Sequence, residues 1–329
     1  MARKKGRGAD RGSARREKTP MTLEEFFSNE LPTLSDVVTF SNNLPMSLYA
    51  DSTGVKSPEV VYRGLMLSRN HLLSEEYLLN FRRSEADLGV AVGVNNYSLP
   101  MAVGTIVHRD REETDEDIVP LPPYRQLRVP LGSAVRSRRS VRRYSGEAMP
   151  LDELSTLLFY GAGTTGKLEV EHAPETVSLG KSDEIQLRSA ASGGGLYPVD
   201  LFVLALAVDG LEPRAYRYLP RHHGLKPVGP LSVPPLRRLA QFGEIEVEKA
   251  SCLLGYVYNL FENSRKYGEA GLGFAFIEAG YIASHIHLGV TALGGGACDV
   301  GSFVKPRLEK LFEADGVSRH LIHLTVIGK

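Results

Sequence analysis

Arg136-Ser-Arg-Arg-Ser-Val-Arg-Arg-Tyr144 is the stretch on which the reading of this chain turns, because five arginines fall within eight residues beside two serine hydroxyls. Guanidinium groups offer planar forks of donors that suit a phosphate, and serine adds a short neutral donor. By composition alone the same stretch reads as a solvated basic helix end or a nucleic-acid patch. The surrounding sequence separates these readings.

Lys+Arg and Asp+Glu both total 39 over 329 residues, so the formal charge is zero and the global footprint of a nucleic-acid binder is missing. A hydrophobic content of 42% is enough for one large core or two modest ones. Cys252 and Cys298 are far apart and form no disulfide framework, so a reducing, cytoplasmic setting is expected. Residues 1–20 are basic and rich in Gly, Arg and Ser, with no apolar run of the kind a secretory signal needs. They are expected to be a disordered tail. Gly271 to Leu293 approaches membrane-span length but holds Glu278, His285 and His287, so it reads as a buried core helix and no membrane partner is expected.

Helical signals dominate residues 21–85, and residues 89–107 read as two β-prone runs around Asn95-Asn96-Tyr97-Ser98. The acidic run from Arg111 to Asp117 and the prolines at 120, 122, 123 and 130 mark an exposed connection. Beyond it the pattern predicts helices starting near Gly132 and at Pro150–Tyr160, and a strand at Val199–Val208. A strand at Cys252–Tyr258, a long helix at Gly271–Leu293 and a terminal strand at Leu321–Ile327 follow. The order lacks a βαβ period, which points to α+β with one main sheet rather than a doubly wound fold. The expected division is residues 1–20 as tail, 21–125 as a smaller α/β region of unassigned role, and 126–329 as the chemical domain.

Three further segments carry chemistry. In Arg188-Ser-Ala-Ala-Ser-Gly-Gly-Gly-Leu-Tyr-Pro-Val199, three glycines after a serine let backbone approach a flat ligand and leave amides to donate, although the GxGxxG spacing and the P-loop lysine are both missing. Arg265-Lys-Tyr-Gly-Glu269 places Lys266 beside Tyr267, an acid/base pair in a suitable environment and otherwise a snorkelling lysine next to a core tyrosine. Leu293-Gly-Gly-Gly-Ala-Cys-Asp-Val-Gly-Ser-Phe303 is a second glycine-rich loop. His222-His223 and the His285, His287 pair are spaced too closely for one metal, and no nucleophile elbow occurs, so neither a metal site nor hydrolysis is expected.

Taken in order, these four segments resemble the nitroreductase superfamily, and SGGGLYP together with Lys266-Tyr267-Gly268 and Glu278-Ala279-Gly280 resembles its SagB-type dehydrogenase branch. The resemblance spans roughly residues 125–329. It implies an FMN-dependent α+β fold with a central, mostly antiparallel sheet flanked by helices. It also implies FMN-phosphate and ribityl contacts at Arg138, Arg139, Ser140 and Arg142, and flavin-ring contacts at Ser192, Gly193 and Gly194. Backbone amides near Gly301 and Ser302 would donate to the ring, and Gly328-Lys329 falls where a further phosphate contact is common. Lys266 and Tyr267 would be catalytic. The branch oxidises thiazoline or oxazoline rings to thiazole or oxazole in ribosomally made peptides, so the implied partners are an azoline-containing precursor peptide, a cyclodehydratase complex and a second copy in a homodimer. An NAD(P)H-dependent nitro, quinone or ene reductase and a non-catalytic flavin-fold subunit remain as alternatives. The chain departs from the branch at Ala270 and Gly273, where arginines are usual, and at Tyr281, Ser284 and His285.

Overall fold

The computed structural model describes Tyr77, residues 117–169 and residues 184–329. The expectations for residues 1–20, 21–85, 89–107 and most of the acidic run lie outside the described residues, apart from Tyr77, which is helical. The chain divides into two compact units, Met1–Arg82 and Arg83–Lys329, and the chemical segments all fall in the second.

Among the described residues, the elements of this second unit are β1 (Val119–Pro120), α1 (Leu131–Ser137), α2 (Leu151–Ala162), β2 (Thr164–Glu169), β3 (Glu184–Arg188), β4 (Val199–Ala205), β5 (Ala215–Leu219) and β6 (Gly224–Val228). They continue with β7 (Cys252–Asn259), α3 (Leu260–Tyr267), α4 (Ala270–Ala292), β8 (Gly296–Asp299), α5 (Lys305–Leu311) and β9 (Arg319–Gly328). Seven of the described strands make one sheet in the order β1-β6-β5-β4-β7-β9-β8, with antiparallel neighbours throughout, and β2 pairs with β3 in a separate hairpin. The expected α+β class with a mostly antiparallel sheet is what forms.

The central strands read as continuous apolar runs because both of their faces are covered. Along β4, Val199, Leu201, Val203 and Ala205 enter one core while Phe202 and Leu204 enter the other. Along β7, Cys252, Leu254, Tyr256 and Tyr258 alternate in the same way with Leu253 and Val257. The first core is closed by α2 and α4 through Leu154, Leu157, Leu158, Ile282, Ile286 and Val290. The second is closed by Leu308, Leu311 and Phe312, at and just beyond α5, and the Phe312 ring lies 5.3 Å from that of Phe202. Each large apolar side chain so buried stabilises the fold by roughly 1.5–3 kcal/mol.

Helix α2 starts after Pro150 with Asp152 and Glu153 in its first turn, where the helix dipole favours carboxylates, and ends at Gly163. Helix α4, 23 residues long, starts close after the left-handed turn at Gly268 that ends α3, and is followed by left-handed Gly294. Among the described residues no helix is long and apolar enough to cross a membrane. Helix α4 is long enough at 23 residues, but Glu278, His285 and His287 lower its apolar character.

The structure differs from the sequence pattern in three ways. The predicted strand at 199–208 stops at Ala205, because the chain turns aside there to join Met149, which bridges Val208. The pairs β2–β3 and β5–β6 carry Lys167, Arg217, Lys226 and Pro227, which obscure their β pattern. The Lys266–Tyr267 pair closes a helix, α3, where the sequence pattern shows only a lead-in to α4.

Candidate functional site

The arginine segment leaves the C-terminal end of α1. Arg138 is the cap of that helix, its amide bonded to the Ala134 carbonyl at 2.9 Å. Arg139 turns back on the helix and its Nη1 donates to the carbonyls of Arg136 and Arg138, both at 2.8 Å. That commits Nη1 and leaves Nη2 and Nε as a fork. A helix C-terminus carries partial negative charge, so an anion here depends on guanidinium groups rather than on the helix dipole. Ser140 then forms a parallel bridge with Ala297 of β8, and the Val141 amide donates to the Ala297 carbonyl at 2.9 Å. Arg142, exposed like Arg139 and Ser140, donates to the Ser140 carbonyl at 3.3 Å. Its charge opposes the upward push that burial gives the Cys298 thiol. The first and fourth segments are thereby joined.

Beyond β8, Gly301 and Ser302 are exposed. The Ser302 hydroxyl donates to the Gln241 carbonyl at 2.7 Å, and the Gln241 amide donates to the Ser302 carbonyl at 2.9 Å, so this loop is tied down from both sides. The sequence offered no signal for Gln241. Asp299, at the end of β8, accepts from His287 of α4 at 3.0 Å, from Thr325 at 2.7 Å and from His323 at 3.1 Å. Burial opposes ionisation of Asp299, but these donors outweigh it and hold the carboxyl well below the usual carboxylate range. Lys329, the expected extra phosphate contact, has its ammonium paired with Glu153 at the start of α2.

The second and third segments are likewise brought together. Gly194 is left-handed at φ +64, and a Cβ there would stand 2.4 Å from the Tyr267 hydroxyl and 2.6 Å from Lys266 Nζ. The absent side chain is therefore the space into which the pair reaches. Lys266 Nζ lies 5.3 Å from the centre of the Tyr267 ring. The Phe274 ring meets Tyr267 edge-on at 4.9 Å and faces the missing side chain of Gly193 at 3.4 Å. Phe274 has no signal in the sequence, since an aromatic residue in an apolar helix reads as ordinary core.

Ser192 serves the segment itself: its hydroxyl donates to the carboxylate of Glu278 and accepts from the Tyr197 amide at 2.9 Å. Glu278 also accepts from the Val199 amide at 3.1 Å. Burial pushes the Glu278 carboxyl up to about 7, against the pull of these bonds and of Arg188. Helix α4 thus touches both pairs of segments, through Glu278 in one and His287 in the other, about 13 Å apart along its axis at a rise of ~1.5 Å per residue. Ala270, where the branch has arginine, is a buried first residue of α4. Tyr281 and Ser284 are exposed, and His285 Nδ1 lies 3.1 Å from the Tyr160 carbonyl.

The donor set fits a phosphate-bearing flat cofactor: guanidinium forks and a serine at one place, and glycine loops that admit a planar ring at others. Residues 135–329 match the Nitroreductase family, and the chain belongs to that family.

A protein of Methanocaldococcus jannaschii named as a nitroreductase is 27% identical over 195 residues, 59% of this chain and 89% of that one. A nitroreductase structure from Ralstonia eutropha superposes with a TM-score of 0.50 at 24% identity, covering 66% of this chain and 90% of that chain, which shows the fold. A chain of the Escherichia coli microcin synthetase McbBCD complex with truncated pro-peptide bound aligns at a TM-score of 0.44 and 19% identity, over 75% of this chain and 99% of that chain. A Desulfovibrio desulfuricans nitroreductase in complex with FMN aligns at a TM-score of 0.38 and 19% identity, over 61% of this chain and 86% of that chain.

Proposed function

We propose that this protein is an FMN-dependent dehydrogenase of the SagB type that oxidises thiazoline or oxazoline rings in a ribosomally made precursor peptide. The observation that carries the proposal is the contact of Lys266 and Tyr267 with the space beside Gly194. It puts the branch's Lys-Tyr pair against its SGGGLYP loop, where a generic reductase has no need of a proton-transferring pair. In this reading Arg138, Arg139, Ser140 and Arg142 hold the phosphate and ribityl chain. Ser192, Gly193 and Gly194 form a wall for the ring, with Ser192 shaping the loop, and the backbone at Gly301 and Ser302 donates to the ring's polar edge.

FMN, when bound, supplies the two-electron acceptor. The chain's own part is to take a proton. The ring Cα–H of an azoline is acidified by the adjacent C=N and carbonyl groups, and Lys266, supported by the Tyr267 phenol, accepts it.

A homodimer belongs to the same reading. On α4 the side chains of Phe276, Ile277 and Tyr281 are 52%, 54% and 48% exposed, and with Gly280 and Ser284 they form one stripe at helical spacing. Leu131 and Val135 of α1 are also exposed. A second copy laid on this stripe would cover it.

The test is the purified protein with a synthetic azoline peptide. The expected result is a yellow, FMN-bearing protein that removes two mass units per ring under air, with little flavin bleaching by NAD(P)H alone in stopped flow. Rapid bleaching by NAD(P)H and no mass loss on the peptide would assign it to the reductases, and a colourless protein unable to take up FMN would make it a non-catalytic subunit.

A further inference from the structure

Glu278 is a carboxyl only 2% exposed, in the middle of an apolar helix, and the chemistry above gives it no proton to move. Such a group is costly unless its bonds serve something. Its two oxygens engage the two ends of one segment. Oε2 accepts from the Ser192 hydroxyl, and Oε1 accepts from the Val199 amide. Between those ends the Tyr197 amide closes on Ser192 Oγ, and the Tyr197 hydroxyl accepts from the Arg188 amide at 3.0 Å.

The segment spanned in this way is not relaxed. Gly194, Gly195 and Tyr197 all have positive φ, at +64, +67 and +48, and a tyrosine held there is an uncommon conformation that its surroundings must enforce. Gly194, at its centre, is the residue in contact with Lys266 and Tyr267.

We propose that Glu278 is a positioning residue: an ionisable clasp within α4 that closes the Ser192–Val199 segment on itself and so sets Gly194 against the Lys266–Tyr267 pair. This rests on the reading of that pair as the reactive one. Ionised, the carboxylate accepts from Ser192 and from Val199 through charge-assisted bonds. Protonated, one oxygen becomes a donor, Ser192 must turn its own hydroxyl proton elsewhere, and the clasp is held by ordinary neutral bonds.

The charged groups facing Glu278 set where this exchange happens. Arg188, at the end of β3, favours the ionised form, and Asp200 of β4 opposes it. Asp200 is itself held by Arg217 of β5 at 3.0 Å, by Arg319 of β9 at 3.8 Å and by Asn259 at 2.9 Å, which blunts its repulsion. The clasp's own bonds to Ser192 and Val199 therefore strengthen as pH rises through neutrality, while the cost of burying the charge falls on the fold as a whole.

Amide hydrogen exchange on the full chain tests this without relying on turnover. In Glu278→Ala and in Ser192→Ala the Tyr197 and Val199 amides are expected to lose protection about tenfold or more, while Leu201 to Leu204 of β4 keep theirs. Glu278→Gln can still accept from Val199 and can donate to Ser192. It is expected to keep most of the protection but to lose the rise in protection that the wild type shows between pH 6 and 8.

On the FMN-loaded enzyme the alanine variants should lower kcat with KM little changed, and Glu278→Gln should flatten the neutral limb of the pH profile. Unchanged protection at Tyr197 and Val199 in Ser192→Ala, which replaces a half-buried hydroxyl and should fold, overturns the clasp. Wild-type pH dependence persisting in Glu278→Gln overturns it as well. A wild-type protein with no azoline oxidation removes the functional reading alone, since the exchange result still decides the clasp.

Discussion

Replacing Gly194 with alanine separates the contact that carries the proposed function from the backbone strain around it. Two costs arise. An L-residue at φ +64 costs about 1–2 kcal/mol in backbone strain. The new Cβ also stands 2.4 Å from the Tyr267 hydroxyl and 2.6 Å from Lys266 Nζ, where ordinary contact begins near 3.4 Å, so both tips must retreat by up to about 1 Å. Both are ends of flexible side chains, so the retreat costs little stability, but a misplacement of ~1 Å in a reacting group can cost on the order of 10²-fold in rate. The neighbouring Gly195 supplies the control. Its φ is +67 and a Cβ there meets nothing within 4 Å, so Gly195→Ala carries the strain without the displacement.

Both variants should therefore lose a similar few degrees in Tm, since about 1 kcal/mol shifts a domain of this size by roughly 2–4 °C. Only Gly194→Ala should lose about 10²-fold in kcat/KM on an azoline peptide, equivalent to ~2.7 kcal/mol of transition-state stabilisation. Thermal unfolding, flavin content and peptide mass loss are measured on the same preparations. Equal activities in the two alanine variants would show that the Lys266–Tyr267 pair does not depend on its place beside Gly194, and the reasoning would fail.

Arg139 and Arg142 replaced together by alanine should yield largely apo protein, since each charge-assisted phosphate bond is worth ~1.5–3 kcal/mol, and unchanged flavin content after dialysis would place the phosphate elsewhere. Lys266→Ala should keep FMN and its absorption spectrum while slowing azoline oxidation by ~10²–10⁴, with Tyr267→Phe costing less and the double variant about as much as the lysine change alone. Full activity of the loaded lysine variant would remove it from the mechanism. Glu278 sets a pH dependence of stability with a definite sign: its carboxyl is raised from the ordinary 4.5 to about 7, so between those values only the unfolded chain ionises. Stability falls as pH rises through that window, by up to about 3 kcal/mol at ~1.36 kcal/mol for each pH unit crossed, and levels off above it. Denaturant titrations at pH 5 and 8 should show this loss in the wild type and not in Glu278→Gln; equal losses in both would refute it.

Much of this protein is legible without coordinates. The apolar runs of β4, β7 and β9 are fixed by patterning strong enough to override local detail, because each buries two faces, and α4 by the length of its apolar run, although one stripe through Phe276, Ile277 and Tyr281 stays exposed. The four chemical segments are legible for a different reason: arginines, glycines and a Lys-Tyr pair are demanding residue types whose order along the chain is itself informative. The tertiary structure decided which of them meet. It joined Ser140 to Ala297 and Gly194 to Lys266 and Tyr267, across separations that no local periodicity encodes. It also gave Ser192 and Glu278 to each other, tied Ser302 to Gln241 and committed Lys329 to Glu153. A side chain's spare hydrogen-bonding capacity is settled by its neighbours in space. For that reason the sequence could nominate the residues of the site, while only the fold could show which hold its loops in shape and which reach toward a ligand.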